Sequence, residues 1–154
     1  MKTSAAYGPV VLVGGVGTAA AALAAYCAAS GVQRYAEIGN SYPGFVTSLA
    51  ATVGYFLSAI CGACVLGGRM FIVAAARPDA AGKIDAGVFR AHVLVQRAAL
   101  AWMIIAAAMV PVAAADSSGV GVGRLLVSGA VGDAVTASEP PRAWSVVFVC
   151  AAAS

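Results

Sequence analysis

The chain has 154 residues, of which 62% are hydrophobic and only 10% are charged, and its mean hydropathy is +0.92. A soluble domain is roughly 45–50% apolar and about 25% charged, so this composition excludes an ordinary water-facing surface. The net charge of +3 does not indicate a nucleic-acid partner. The composition therefore predicts an integral membrane protein of the all-α class, with the lipid bilayer as its main partner.

The first predicted span covers residues 9–29, an uncharged apolar run that follows Lys2 and precedes a polar stretch at 30–40. The alternative is a cleaved signal peptide. The run is longer than the ~7–15 apolar residues typical of such a peptide, so a membrane span is the favoured interpretation.

A glycine string within this first span is also open to two interpretations. Gly14, Gly15 and Gly17 follow a run of valines, as in a dinucleotide-binding turn, with Glu37 roughly 20 residues further on as the ribose acceptor. No second alternating strand follows, and small residues are expected wherever membrane helices approach closely. The sequence therefore favours helix packing over nucleotide binding.

The second and third predicted spans cover residues 45–68 and 92–115. Arg69 follows the second span at a position from which its side chain can reach the membrane surface. The third span has Arg97 inside it and Pro111 near its far end, and a proline is tolerated in a membrane helix when neighbours satisfy the freed carbonyl.

The remainder of the chain begins with a Gly-rich and Ser-rich stretch at 116–142, which is too polar to span and is predicted to be a loop. Residues 143–154 are apolar and begin near Trp144, an aromatic residue suited to the interface. About 12 helical residues cover only ~18 Å of a ~30 Å hydrocarbon core. We therefore expect the start of a fourth span, and a chain that is the N-terminal part of a longer protein.

Basic residues predict the orientation of this bundle. The segment between the second and third spans carries Arg77, Lys83 and Arg90, whereas the segment before the second span has only Arg34. The positive-inside rule places the more basic segment, and the N-terminus with it, in the cytoplasm. The sequence thus predicts a multi-pass protein of the plasma membrane, folded as a single domain of three full transmembrane helices and an incomplete fourth.

Two cysteines are the candidate metal ligands. Cys61 and Cys64 lie three residues apart on one face of the second span, a spacing that a soft ion such as Cu(I) can use. Cys27 is predicted at a different depth and cannot complete a four-cysteine site. The alternative, that Cys61 and Cys64 are small packing residues, remains open.

Two charged positions of the third span also have two interpretations each. Arg97 is either a charge that reaches the membrane surface or part of a polar pathway, because a guanidinium at depth costs about 2.5 kcal/mol or more. Asp116 either caps the turn formed with Ser117, Ser118 and Gly119 or attracts a cation, and capping is favoured. No catalytic constellation is evident, and we expect no enzyme activity.

The order of residues in and after the third span resembles that of a known family. The chain contains Phe89-Arg90, Arg97, Trp102, Val110-Pro111 and then Asp116-Ser117-Ser118-Gly119-Val120. It is similar to the copper resistance D type membrane proteins, and more narrowly to the N-terminal part of long fused proteins of high-GC Gram-positive bacteria in which a cytochrome c oxidase assembly half follows. The matching positions are Arg97, Trp102, Pro111, Asp116, Ser118 and Gly119.

The resemblance implies copper handling, either as import across the membrane or as supply for oxidase assembly, with copper as the ligand. None of the matching positions is a soft Cu(I) ligand. Ala113 to Ala115 also stand where the family often has Thr or Ser just before the aspartate. The alternatives are a structural transmembrane subunit that packs with other helices in a larger complex, a transporter half that needs a second copy, or a fragment without function.

Overall fold

The computed structural model describes residues 7–75 and 86–153, and all regular secondary structure within these ranges is helical. The all-α prediction is therefore confirmed for the described residues. The helices are α1 (Tyr7–Glu37), α2 (Phe45–Ala75), α3 (Ala86–Ser118), α4 (Val122–Ser128), α5 (Val131–Ala137) and α6 (Glu139–Ala152). Lys2, Arg77 and Lys83, which contributed to the predicted orientation, lie outside the described residues.

Two helices, α2 and α3, are long and apolar enough to cross a membrane among the residues that the structure describes. They contain the predicted second and third spans. The predicted first span, 9–29, lies within α1, and its passage through the bilayer stays a prediction. Each of the three long helices extends past its predicted span: α1 to Glu37, α2 to Ala75, and α3 back to Ala86. Arg69 does not end α2, because arginine is a good helix former.

Glycines end two of the long helices in the same way. Gly39 follows α1 with φ 73°, and Gly119 follows α3 with φ 66°. The next amide in each case donates to a carbonyl five residues earlier, Asn40 to Tyr35 at 2.9 Å and Val120 to Ala115 at 3.1 Å. This is the Schellman motif, which requires a left-handed residue and thus favours glycine. Both helices consequently stop at defined points and turn back at the same end of the bundle.

The stretch 116–142, predicted to be a loop, instead contains two seven-residue helices, α4 and α5, and the start of α6. Polarity and glycine content suggested a loop, but Leu125 is buried against Ala114 and Ala115 of α3. This burial favours a helical turn over the intrinsic preference of glycine. Helix α6 begins at Glu139, earlier than predicted, because prolines are accommodated in a first helical turn, where their missing N–H groups need no partner.

Helices α2 and α3 pack antiparallel, with glycines of α2 facing bulky residues of α3. A Cβ added at Gly62 would lie 3.4 Å from the Trp102 ring. A Cβ at Gly54 would overlap the sulfur of Met109, and one at Gly68 would overlap a methyl of Val95. The three α3 residues, Val95, Trp102 and Met109, recur every seven positions, a repeat typical of helices that wrap around each other. Small residues thus let the two backbones approach closely.

The core continues from this helix pair to α6. Trp144 of α6 is buried against Ala106, Met109 and Ala113 of α3, and its ring lies 5.2 Å from that of Tyr55 on α2. Helix α1 packs against the first half of α2. The long helices therefore form a bundle with α3 at its centre.

The glycine pairing predicts unequal effects for two neighbouring substitutions. Gly68→Ala places a methyl on the rigid Val95 side chain, whereas Gly67→Ala meets open space. Both changes give the same gain in helix propensity, so their difference isolates the steric conflict. We expect Gly68→Ala to have a free energy of unfolding lower than Gly67→Ala by about 1–3 kcal/mol, measured by reversible unfolding in detergent. Equal stability of the two variants would contradict the packing described.

Candidate functional site

The candidate site lies where the end of α1, the start of α2 and the end of α3 meet. The Tyr35 hydroxyl of α1 donates a hydrogen bond to Oδ1 of Asp116 in the last turn of α3. Ser48 of α2 also hydrogen-bonds to Tyr35. Tyr35 is only 2% exposed, and Ser48 is buried as well. We refer to Tyr35, Ser48 and Asp116 as the polar cluster.

The surroundings of Tyr35 favour its neutral form. Burial raises the pKa of the phenol above its ordinary value of 10.0, and the hydrogen bond to the Asp116 carboxylate raises it further. Arg34 acts in the opposite direction, with its guanidinium carbon 5.3 Å from the centre of the Tyr35 ring. The phenol therefore keeps its proton at neutral pH and acts as the donor in the cluster.

Neighbouring residues enclose the polar cluster. The Tyr42 ring packs edge-on against Tyr35 at 5.5 Å between centroids, and it also covers Gly31. The buried Thr47 hydroxyl accepts a hydrogen bond of 3.0 Å from the Val122 amide at the start of α4. No buried side-chain nitrogen or oxygen among the described residues lacks a hydrogen-bond partner. The cluster is thus a satisfied junction between helices.

Asp116 has a role that differs from the predicted cap. The Ser118 hydroxyl bonds back to the Ala114 carbonyl at 2.8 Å, and Ser117 bonds to the same carbonyl at 3.1 Å. Gly119 supplies the left-handed turn. The carboxylate itself crosses to α1, where Tyr35 is its partner. Asp116 therefore joins two helices, where the sequence predicted a local capping interaction.

The other residues that match the family pattern lie along α3. The Trp102 indole nitrogen donates to the Ser58 hydroxyl on α2 at 2.7 Å, a part-buried polar link in the middle of the helix pair. Pro111 lies inside α3, which continues through it. Arg97 is on the exposed side of the helix. The structure therefore assigns Trp102 to the α2–α3 contact, and brings neither Arg97 nor Pro111 into the polar cluster.

The candidate copper ligands lie apart from this cluster. Cys61 is half-buried and Cys64 exposed on α2, whereas Cys27 is buried and bonds to the Thr52 hydroxyl at 3.3 Å. Within 7–75 and 86–153, no group of three or more His, Cys, Asp or Glu side chains is placed to hold a metal ion. Among the described His, Cys, Asp and Glu side chains, Cys61 and Cys64 are therefore not part of a group of three or more that could hold a metal ion.

Several mycobacterial proteins are similar to this chain. Uncharacterized protein Mb0105 of Mycobacterium bovis is 47% identical over 131 residues, which cover 85% of the chain and 20% of the relative. Uncharacterized protein MT0111 of Mycobacterium tuberculosis gives the same values, and Uncharacterized protein ML1998 of Mycobacterium leprae is 41% identical over 130 residues. The chain therefore spans about a fifth of the length of the curated relatives it matches. No family model and no solved structure matches it.

Removal of the Tyr35 hydroxyl tests the polar cluster. Tyr35→Phe leaves the partly buried Asp116 carboxylate without its Tyr35 donor, so we expect a loss of about 1–3 kcal/mol in the free energy of unfolding. Tyr26→Phe is the matched control, because this tyrosine is 56% exposed and the same atom is removed. Thermal unfolding in detergent measures both.

A double-mutant cycle then assigns the loss to the Tyr35–Asp116 pair. Once Asp116→Ala has been made, adding Tyr35→Phe should cost clearly less than it does in the wild type, because the hydroxyl then has only its Ser48 hydrogen bond to lose. Fully additive losses would show that the two residues act separately.

Proposed function

We propose that this chain is a membrane-embedded helical module of a copper-handling protein. The observation that carries the membrane part is the exposure of apolar side chains along α2 and α3. Only 22% of the apolar window of α2 and 33% of that of α3 are buried within the chain. A soluble core helix would bury most of such a surface, whereas lipid tails cover it without cost.

The polarity of the described surface agrees with this proposal. Val73 is 84% exposed, and Leu94, Leu100 and Ile104 of α3 are exposed apolar side chains on a side of the helix that also carries Arg97. Exposed apolar side chains in this number mark a membrane or a protein contact. In the proposed arrangement α1 also crosses the membrane, the N-terminus is cytoplasmic, and the polar cluster faces outward.

Extraction behaviour tests the membrane location. We expect the expressed chain to stay in the membrane pellet after washing with alkaline carbonate and to leave it only in detergent, because its apolar faces need lipid. A co-expressed soluble protein serves as the control for the wash. Release of the chain into the carbonate supernatant as a soluble species would contradict the proposal.

The copper role is supported by the resemblance to the copper resistance D proteins and by the thiol pair on α2. Thiolates are among the ligands that select Cu(I), and Cys61 and Cys64 project from neighbouring turns of one helix. In the proposed role the chain takes part in copper import or in copper supply for oxidase assembly. It transfers the ion and performs no chemical step.

Copper stoichiometry tests this role. The purified chain in detergent, loaded with Cu(I) under reducing conditions, should lose bound copper when Cys61→Ser and Cys64→Ser are combined, because the softest donors are removed. The control combines Cys27→Ser with Cys150→Ser, so that the same number of thiols is removed elsewhere. Equal copper content in the two double variants would exclude Cys61 and Cys64 as ligands.

A second candidate function is a structural subunit of a larger membrane complex. The same exposed apolar faces fit partner helices as well as lipid. This function is favoured if the wild-type chain binds no more copper than the combined Cys61→Ser and Cys64→Ser variant and copurifies with other membrane proteins in stoichiometric amount.

A further inference from the structure

Helix α6 runs antiparallel to α3, and the residues they bring together give the register of the two helices. Trp144 of α6 is buried against Met109 of α3 and its neighbours one turn to either side. Seven residues further along α6, Ala151 is only 4% exposed and lies with Leu100 and Met103 of α3 in the wall of one groove. Each step forward on α6 therefore corresponds to one step back on α3.

The groove has a volume of about 580 Å³ and lies between α2, α3 and α6. Its α2 wall includes Val73, and its α3 wall extends from Met103 back to Gln96 and His92. In the register described, Ala152 faces a point about two residues before Met103, at one residue per rise of ~1.5 Å. Gln96 and His92 lie beyond that point, so the groove continues the path of α6 along α3.

The backbone at the end of the described part of α6 remains helical. Ala153 has φ −80° and ψ −5°, in the right-handed region, and its amide donates to the Val149 carbonyl at 3.0 Å, as in an α-helix. By contrast, α1 and α3 end at Gly39 and Gly119, which are in the left-handed conformation. Residues that follow Ala153 in helical conformation therefore enter the groove.

The curated mycobacterial relatives extend far beyond the part that matches this chain, since the 131 matched residues are 20% of their length. We propose that, in the protein as encoded, α6 continues past Ser154 as a helix that fills the groove. About nine residues past Ala152 bring this helix level with His92. It then has about 23 residues and a length of roughly 34 Å, enough to cross a hydrocarbon core of ~30 Å.

Tethering favours this occupant over a lipid or a second copy of the chain. A segment joined to α6 is already held at the entrance of the groove, so it binds without the loss of translational freedom that a separate molecule undergoes. Val73 is 84% exposed and Leu100 is 54% exposed, so both walls offer apolar surface to the tethered helix. The inference rests on the proposed membrane location, which the carbonate wash tests separately, and it is independent of copper.

The reading frame beyond codon 154, together with the mass of the protein in isolated membranes, tests the continuation itself. We expect an open frame that encodes at least about nine more residues that are mainly apolar and lack proline, because an interior proline breaks or kinks a helix. The protein should then be heavier than the 15.1 kDa of this chain. A stop codon directly after codon 154, or a proline within the next two turns, would overturn the proposal.

Disulfide cross-linking of the encoded protein in its membranes tests the position of the helix. All native cysteines are changed to Ser, and Gln96→Cys is combined with a single cysteine at each of the seven positions after Ser154. We expect the strongest link within one chain at about the third of these positions, with a second maximum three or four residues away, because one face of a helix recurs at that spacing.

Leu94→Cys is the matched control. Leu94 is 62% exposed, but it lies two residues from Gln96 and therefore about 200° around α3, away from the groove. It should give less than about one-fifth of the link of Gln96→Cys, because a disulfide requires the two Cα atoms to lie within about 7 Å. Equal linking from the two positions, linking without helical spacing, no linking at all, or links only between two chains would overturn the proposal. The last result would assign the groove to a second copy.

Discussion

The close approach of α2 and α3 is the constraint on which the remaining structure depends. Three glycines of α2 provide the hollows into which Val95, Trp102 and Met109 of α3 fit. Between the glycines, Ser58 accepts a hydrogen bond from the Trp102 indole. The polar N–H group of this ring thus has its partner within the interface. In lipid, where apolar burial gives no drive for helices to associate, such shape matching and internal hydrogen bonding hold helices together. The positions of α6 and of α4 and α5 follow, since each packs on α3.

Helix α1 is held by a different kind of contact. It contacts the first part of α2 through Cys27 and Thr52, and it is linked to α3 by the polar cluster of Tyr35, Ser48 and Asp116. Two glycine-ended helices turn back at this end, so the loops at 38–44 and 119–121 are short and close to each other. Gly119 lies directly against Ser41, where a larger residue would collide with the neighbouring loop. The polar cluster and these turns together define the end of the bundle.

The sequence alone predicted the helical class and the two long apolar helices α2 and α3, because apolar runs of this length with at most one charge are typical of helices long and apolar enough to cross a membrane. It predicted 116–142 wrongly as a loop, because local glycine content does not show that Leu125 has a site on α3. The Tyr35–Asp116 bond was also missed. The two residues are 81 positions apart in the chain, and no local pattern reports such a contact. A tyrosine near the end of a predicted span and an aspartate at the end of another were the only available signals.

The fit between the α2 glycines and the α3 side chains also limits which substitutions the α2–α3 interface can accept. A larger residue in place of Gly54 meets the Met109 side chain, and one in place of Gly68 meets Val95. Each such change therefore favours a smaller or shifted side chain at the facing position of α3. A larger residue at 68 alone would press on the Val95 methyl and push the helices apart. We therefore expect a substitution at Gly68 to need a compensating change at Val95, whereas one at the neighbouring Gly67, where an added Cβ meets open space, needs none.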